Sequence, residues 1–233
     1  MDAKYAHIRE QCCEANKQLP KLKIVDLTFG NVSMVDRTLG VFGIKPSGVG
    51  YDELKPDDIV ILDLEGKHIE GSLRPSSDTP THRRLYLGFG DIGAVVHTHS
   101  RNATAFAQAR RAIPCMGTTH ADYFYGEVPV TREMTAEEIQ TEYEWQTGNV
   151  IVERFADINP NDINAVLVRG HGPFVWGDTV QKAVENAFAL EVIAEMTLKS
   201  ISLLPEATPI PQALHDKHYL RKHGKGAYYG QGK

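Results

Sequence analysis

No window of the 233-residue chain approaches the ~18 consecutive apolar residues that read as a membrane span, and the opening stretch mixes acidic and basic residues without an apolar core segment. A membrane protein or a secretory leader is therefore not expected. Cysteine is scarce, with Cys12, Cys13 and Cys115 making three, two of them adjacent. Such a set supports neither a disulfide framework nor a thiolate metal site, so a reducing, cytoplasmic setting is the expectation. Cys115, between Pro114 and Met116, reads as a buried small apolar residue, and Cys12-Cys13 as structural members of a helix. There is no block of Lys and Arg, and the formal net charge is −5. Nucleic acid is thus not expected as a partner, although a local cationic pocket for a phosphate remains compatible with that balance. Internal repeats and Ser/Gly linkers are missing too. What remains is 42% hydrophobic and 24% charged, the make-up of a globular chain with one sizeable core.

The apolar spacing predicts a first helix over 2–19 closed by Pro20. Short strands follow at 25–29, 32–35, 41–44 and 59–63, separated by Gly, Asn and Pro punctuation. A helix opens at 79–89 with Pro80 near its first position, a strand at 93–97 comes next, and a short helix covers 104–110. A long helix is expected over 136–155, interrupted at Gly148-Asn149. Strands at 165–168 and 174–176 flank a turn at Gly170-His171-Gly172-Pro173, and a second long helix spans 179–200. The pattern reads as a single α/β domain over 1–233, a three-layer α/β/α sandwich around a mixed, mostly antiparallel sheet. From about 206 the tail is Pro-rich, then basic and aromatic.

Chemistry first shows in Val95-Val96-His97-Thr98-His99-Ser100. The two-residue period of a strand sends His97 and His99 to one side of its polar tip, where two imidazoles can hold a divalent ion. His171 sits between glycines that supply no packing surface, and it completes a three-histidine set with an open coordination position. Asp78, at the mouth of a helix, is a candidate fourth ligand, and an N-cap role is its alternative. Three segments offer hydroxyls, amides and free backbone N–H groups of the kind that hold phosphate: Gly30-Asn31, Ser47-Gly48 and Ser76-Ser77. Lys45 adds a point charge, or is simply a solvent-exposed strand-end lysine. Three histidines and a carboxylate accept zinc, manganese or cobalt.

Six strings carry a family resemblance: Thr28-Phe29-Gly30-Asn31-Val32-Ser33, Ile44-Lys45-Pro46-Ser47-Gly48-Val49, Pro75-Ser76-Ser77-Asp78-Thr79-Pro80-Thr81-His82, His97-Thr98-His99-Ser100, Gly117-Thr118-Thr119-His120-Ala121-Asp122-Tyr123-Phe124 and His171-Gly172-Pro173-Phe174. With Lys217 to Gly224 and Ala227-Tyr228-Tyr229-Gly230-Gln231, nearly the whole chain resembles the ribulose-phosphate 4-epimerases of the class II aldolase family. The metal and phosphate segments are shared with the fuculose-phosphate aldolase branch, whereas the segment around Asp122 and the tail around Tyr229 are more specific to the epimerases.

The resemblance implies a zinc ion on His97, His99 and His171 with Asp78 beside or on it. It implies phosphate and substrate contacts from Gly30, Asn31, Ser47, Gly48, Ser76 and Ser77, and a proton donor and acceptor pair in Asp122 and Tyr229. Glu144, His218 and Arg221 are implied as secondary site residues. It also implies a homotetramer of cyclic four-fold symmetry with active sites between subunits, the tail from about 206 supplying Tyr229 to a neighbouring site. The expected reaction interconverts L-ribulose 5-phosphate and D-xylulose 5-phosphate. Because the C4 hydrogen is not α to the C2 ketone, inversion there needs C3–C4 cleavage, rotation of the aldehyde and re-addition. An aldolase that releases its fragments is the closest alternative, and a non-catalytic zinc-stabilised assembly module is a more distant one. L-Arabinose use is the expected setting, although the same residues would serve breakdown of L-ascorbate and related sugars.

Overall fold

The computed structural model describes residues 2–224 and 226–228. After a 3-10 turn capped by Asp2, helix α1 (Ala6–Lys21) runs past the expected stop, and Pro20 is accommodated in its last turn. The chain then turns at Lys23 (φ 58°) and Leu27 (φ 53°), so the strand expected over 25–29 is a loop. Leu27 is in the left-handed region, which a strand cannot continue through.

Among the described residues seven strands form one sheet: β1 (Asn31–Asp36), β2 (Val41–Ile44), β3 (Val60–Asp63), β4 (His68–Glu70), β5 (Ala94–His97), β6 (Ala165–Leu167) and β7 (Pro173–Gly177). Their order is β4-β3-β2-β1-β5-β7-β6, and every strand pair is antiparallel. The pleat sorts side chains to two faces. On one face Val32, Ala94, Val96 and Val175 pack with α1, α3 (Arg101–Gln108) and α7 (Val180–Leu203). On the other Phe42, Val95, Phe174 and Trp176 pack with α2 (Thr79–Gly88) and α6 (Tyr143–Arg154). This is the expected three-layer sandwich. Among the described residues, no helix is long and apolar enough to cross a membrane. All three cysteines are buried and free, as their sequence surroundings indicated.

The region expected as one long helix is two, α5 (Ala136–Gln140) and α6, broken at Thr141 (φ −96°, ψ −109°) rather than at Gly148-Asn149. Gly148 lies inside α6 because a Cβ there would meet Arg84 Cβ of α2 at 2.5 Å. The glycine permits close packing of α2 and α6 and marks no break. Two further helices were not anticipated as such: the one-turn α4 (Thr118–Ala121) and α8 (Gln212–His223), which packs back against α4.

Candidate metal and phosphate site

His97 closes β5 in register with Asn31 of β1 and Phe174 of β7. It shares the α2-side face with Val95, and its ring stacks on Phe174 with centroids 4.1 Å apart. Its Nδ1–H donates to Pro173 O at 2.9 Å. That bond fixes the tautomer and leaves the Nε2 lone pair facing forward. His99 Nε2 lies 3.2 Å from His97 Nε2, close to the ~3.3 Å that two nitrogens take about one tetrahedral ion at ~2.0–2.1 Å. His171, on the turn after β6, adds a third ring with centroids 4.8 Å from His97 and 5.0 Å from His99. One nitrogen from each histidine falls within 4.8 Å of the others.

Burial lowers the pKa of all three rings, and that of His171 to about 3 with help from its two neighbours. The rings are therefore neutral at pH 7, the form a divalent ion takes. Their donor set, facing geometry and protonation fit a zinc-class ion.

Asp78 occupies the N-cap position of α2, but its side chain caps nothing. Oδ2 instead accepts from Asn31 Nδ2 at 2.7 Å and from Ser76 Oγ at 3.4 Å. Burial opposes its charge, yet its pKa lies below the ordinary carboxylate value, and the hydrogen bond from Asn31 is among the contacts that stabilise the anion. The capping alternative is thus not what the side chain does.

The histidines and Asp78 line a cavity of about 450 Å³ together with Gly30, Asn31, Lys45, Ser47, Gly48, Ser76, Ser77 and Glu144. Gly30 holds φ +104°, and a Cβ on it would lie 2.6 Å from His97 O, so only glycine lets this loop approach the strand end. Lys45 is not a solvent-exposed lysine. It is 2% exposed, with Nζ 3.4 Å from Pro46 O and 5.0 Å from the Tyr51 ring, and no carboxylate pairs with it among the described residues. Burial lowers its pKa, because an unpaired ammonium out of water is costly. The cavity thus offers an uncompensated cation beside three hydroxyl-bearing and glycine-bearing loops.

Sequence reasoning missed Tyr143 and Phe29. Tyr143 Oη lies 3.4 Å from His171 Nδ1, and Phe29 leans on the His99 ring with centroids 6.1 Å apart. Placing the helix break at Thr141, immediately before Tyr143 and Glu144, would have exposed the first of them.

Asp122, His218 and Arg221 come together elsewhere. Asp122 follows α4, and Arg221 of α8 grips its carboxylate with bonds of 2.8 and 3.0 Å. His218 Nδ1 adds a contact at 3.1 Å and Lys222 one at 3.8 Å. Burial opposes the charge here too, and Arg221 and His218 overcome it to hold the carboxyl below its usual range. None of the three lines the histidine cavity. Tyr229 lies outside the described residues.

The family described as Class II Aldolase and Adducin N-terminal domain matches residues 10–198. Two curated relatives, both named L-ribulose-5-phosphate 4-epimerase UlaF and from Salmonella paratyphi C (strain RKS4594) and Salmonella choleraesuis (strain SC-B67), are each 49% identical over 96% of this chain and 98% of their own. Among solved structures, an L-fuculose 1-phosphate aldolase superposes with a TM-score of 0.77 at 23% identity, covering 94% of this chain and 95% of its own. The L-fuculose 1-phosphate aldolase from Glaciozyma antarctica PI12 gives 0.78 at 17%, covering 97% and 85%. These two likenesses concern the fold, and they agree with the antiparallel sheet and its helical layers. With its match over residues 10–198 and its near-full-length relatives, the chain belongs to the class II aldolase and adducin family.

Proposed function

We propose that the chain is a metal-dependent epimerase interconverting L-ribulose 5-phosphate and D-xylulose 5-phosphate. The observation that carries this reading is the sharing of one cavity by three neutral, facing imidazoles and a buried, unpaired lysine. One end suits a divalent ion, the other a phosphate. The names of the near-full-length relatives support the substrate.

A zinc ion on His97, His99, His171 and Asp78, with manganese or cobalt as substitutes, supplies positive charge for an enediolate when bound. Lys45, Ser47, Ser76 and Ser77 hold the 5-phosphate, with the N–H groups of the Gly30 and Gly48 loops close to it. One of the pair Asp122 and Tyr229 takes the proton of the C4 hydroxyl. The C3–C4 electron pair then passes into the C2–C3 enediolate, and C4 leaves as the aldehyde of glycolaldehyde phosphate. With the phosphate still held, the aldehyde turns, its other face accepts C3, and the second member of the pair returns a proton to the C4 oxygen. Glu144 lies at the cavity wall, where it can contact substrate hydroxyls.

Because Asp122 stands apart from the cavity within one chain, the two halves of this chemistry meet across subunits, in a homotetramer whose tail brings Tyr229 to a neighbour. L-Ribulose 5-phosphate incubated with the zinc-loaded protein should yield D-xylulose 5-phosphate in a coupled assay. Absence of turnover with zinc present would sink the reading. Accumulation of free glycolaldehyde phosphate would favour an aldolase, the activity named for its structural neighbours.

A further inference from the structure

Tyr51 follows the Ser47-Gly48 loop and is 5% exposed. It belongs to the core cluster that holds Leu19, Ile24 and Val32, and it is not among the residues bordering the histidine cavity. From behind, it touches the cavity wall at two places. Its Oη lies 2.9 Å from Gly30 O and 3.2 Å from Phe29 O. Both partners are carbonyl oxygens, which only accept, so the phenol is the donor. Its ring lies 5.0 Å from Lys45 Nζ, within the range at which an ammonium is drawn to an aromatic face.

Both contacts fall on groups that can hold an anion. Lys45 is 2% exposed and has one long bond, 3.4 Å, to Pro46 O. A lysine stem has much rotamer freedom to lose on ordering, and the Tyr51 ring helps to hold its ammonium in place beforehand. The Phe29–Gly30 peptide is trans, so its N–H points opposite to its C=O. Tying Phe29 O to Tyr51 therefore turns Gly30 N–H away from the core, at a residue that borders the cavity. That N–H meets no acceptor among the described residues. Gly30 itself gives the peptide little stiffness, since at φ +104° and without a Cβ it is free to leave this conformation. Phenylalanine would fill the same core space without gripping either carbonyl.

We propose that Tyr51 is a positioning residue for the anion end of the cavity, its hydroxyl fixing the Gly30 peptide and its ring fixing the Lys45 ammonium before a phosphate binds. The proposal rests on the reading of that end as the phosphate site, and adds the residue that sets the direction of its donors.

Inorganic phosphate titrated by calorimetry into the metal-free, full-length protein tests this without recourse to turnover. Zinc affinity, from competition with a chromogenic chelator, is the companion measurement. Tyr51→Phe, which keeps the ring, should bind phosphate ~2–10-fold more weakly, the effect of one hydrogen bond left unmade. Tyr51→Leu, which loses the ring as well, should fall a further ~2–10-fold. Both should hold zinc as the wild type does, because the His97 ring is set by Phe174 and Pro173 rather than by Tyr51. Should Tyr51→Leu not fold, Tyr51→Phe decides alone. Wild-type phosphate affinity in Tyr51→Phe, or phosphate and zinc affinities that fall in parallel, overturns the proposal while leaving the phosphate site standing. So does a folded Tyr51→Leu that binds phosphate no more weakly than Tyr51→Phe. Failure of the wild type to bind phosphate, or Lys45→Met binding it as well as the wild type, overturns the phosphate site and the proposal together.

Discussion

Around His97 the polar groups stand at the ends of three adjacent central strands and the start of α2, whereas around Asp122 they stand where a four-residue helix meets a helix from the far end of the chain. Sheet hydrogen bonds, the stack on Phe174 and the bond to Pro173 O place the His97 imidazole before any ligand arrives. Asp122 is placed by ion pairs with Arg221 and Lys222 and a hydrogen bond with His218, all on α8. The first region has metal-ligating imidazoles and a cation but neither Asp122 nor its partners on α8. The second has a carboxylate paired with Arg221 and Lys222 but, among the described residues, no cluster of three groups that could hold a metal ion. Each lacks what the other holds, which is why a second copy of the chain enters the proposed chemistry.

Removing the metal from that comparison should have the largest effect. His97→Ala is expected to abolish tight zinc binding in chelator competition and to lower kcat/KM by ~10³-fold or more, with the Asp122–Arg221 contact and the far-UV circular dichroism unchanged. Disturbing the other region should separate binding from chemistry. Asp122→Asn and Tyr229→Phe are each expected to lower kcat by ~10²–10⁴-fold with zinc affinity as in the wild type. An Asp122→Asn variant that loses only thermal stability would reduce this cluster to a clamp for α8.

Lys45 sharpens the contrast within the cavity. Lys45→Met should raise KM for the sugar phosphate by ~10–100-fold, the equivalent of the ~1.5–3 kcal/mol of a charged hydrogen bond. Because the removed ammonium is buried and unpaired, the melting temperature should hold or rise. A sharp fall in melting temperature would mean that Lys45 supports the fold instead.

Acid should take the two regions apart in sequence. Burial holds the folded pKa values of His82 and His171 near 3, against an ordinary histidine value of 6.5, so the unfolded chain binds more protons on acidification. Metal-free protein should therefore lose stability as pH falls below about 6.5, by at most ~1.4 kcal/mol per pH unit for each such ring. Asp122 works in a lower window. Its folded pKa lies below 3.8, so its ion pairs contribute fully above that value and are lost only as pH falls through the depressed pKa. Urea melts of the metal-free protein at pH 7, 5.5 and 4 read out the first loss before the window of the second is reached.

The cavity was largely legible in the sequence because its determinants are local. The His-Thr-His spacing at the end of β5 marks His97 and His99 as neighbours, and the flanking glycines give His171 little packing surface. The loop at 25–29 was misread because left-handed Leu27 leaves no compositional mark, and the break before Tyr143 was misplaced because a glycine serving helix packing resembles one that ends a helix. Which groups hold Asp122 was not legible at all. His218 and Arg221 lie 96 and 99 residues away from it in sequence, and only the docking of α8 on α4 brings them together.

Subunit complementation tests the joining of the two regions most directly. His97→Ala and Asp122→Asn are prepared separately, each nearly inactive, then mixed, allowed to exchange subunits and assayed with zinc and L-ribulose 5-phosphate. If His97 and Asp122 serve one site from different copies, activity returns to roughly a quarter of the wild-type level, the share of sites that random pairing leaves with both intact residues. Subunit exchange without any return of epimerase activity would contradict the shared site.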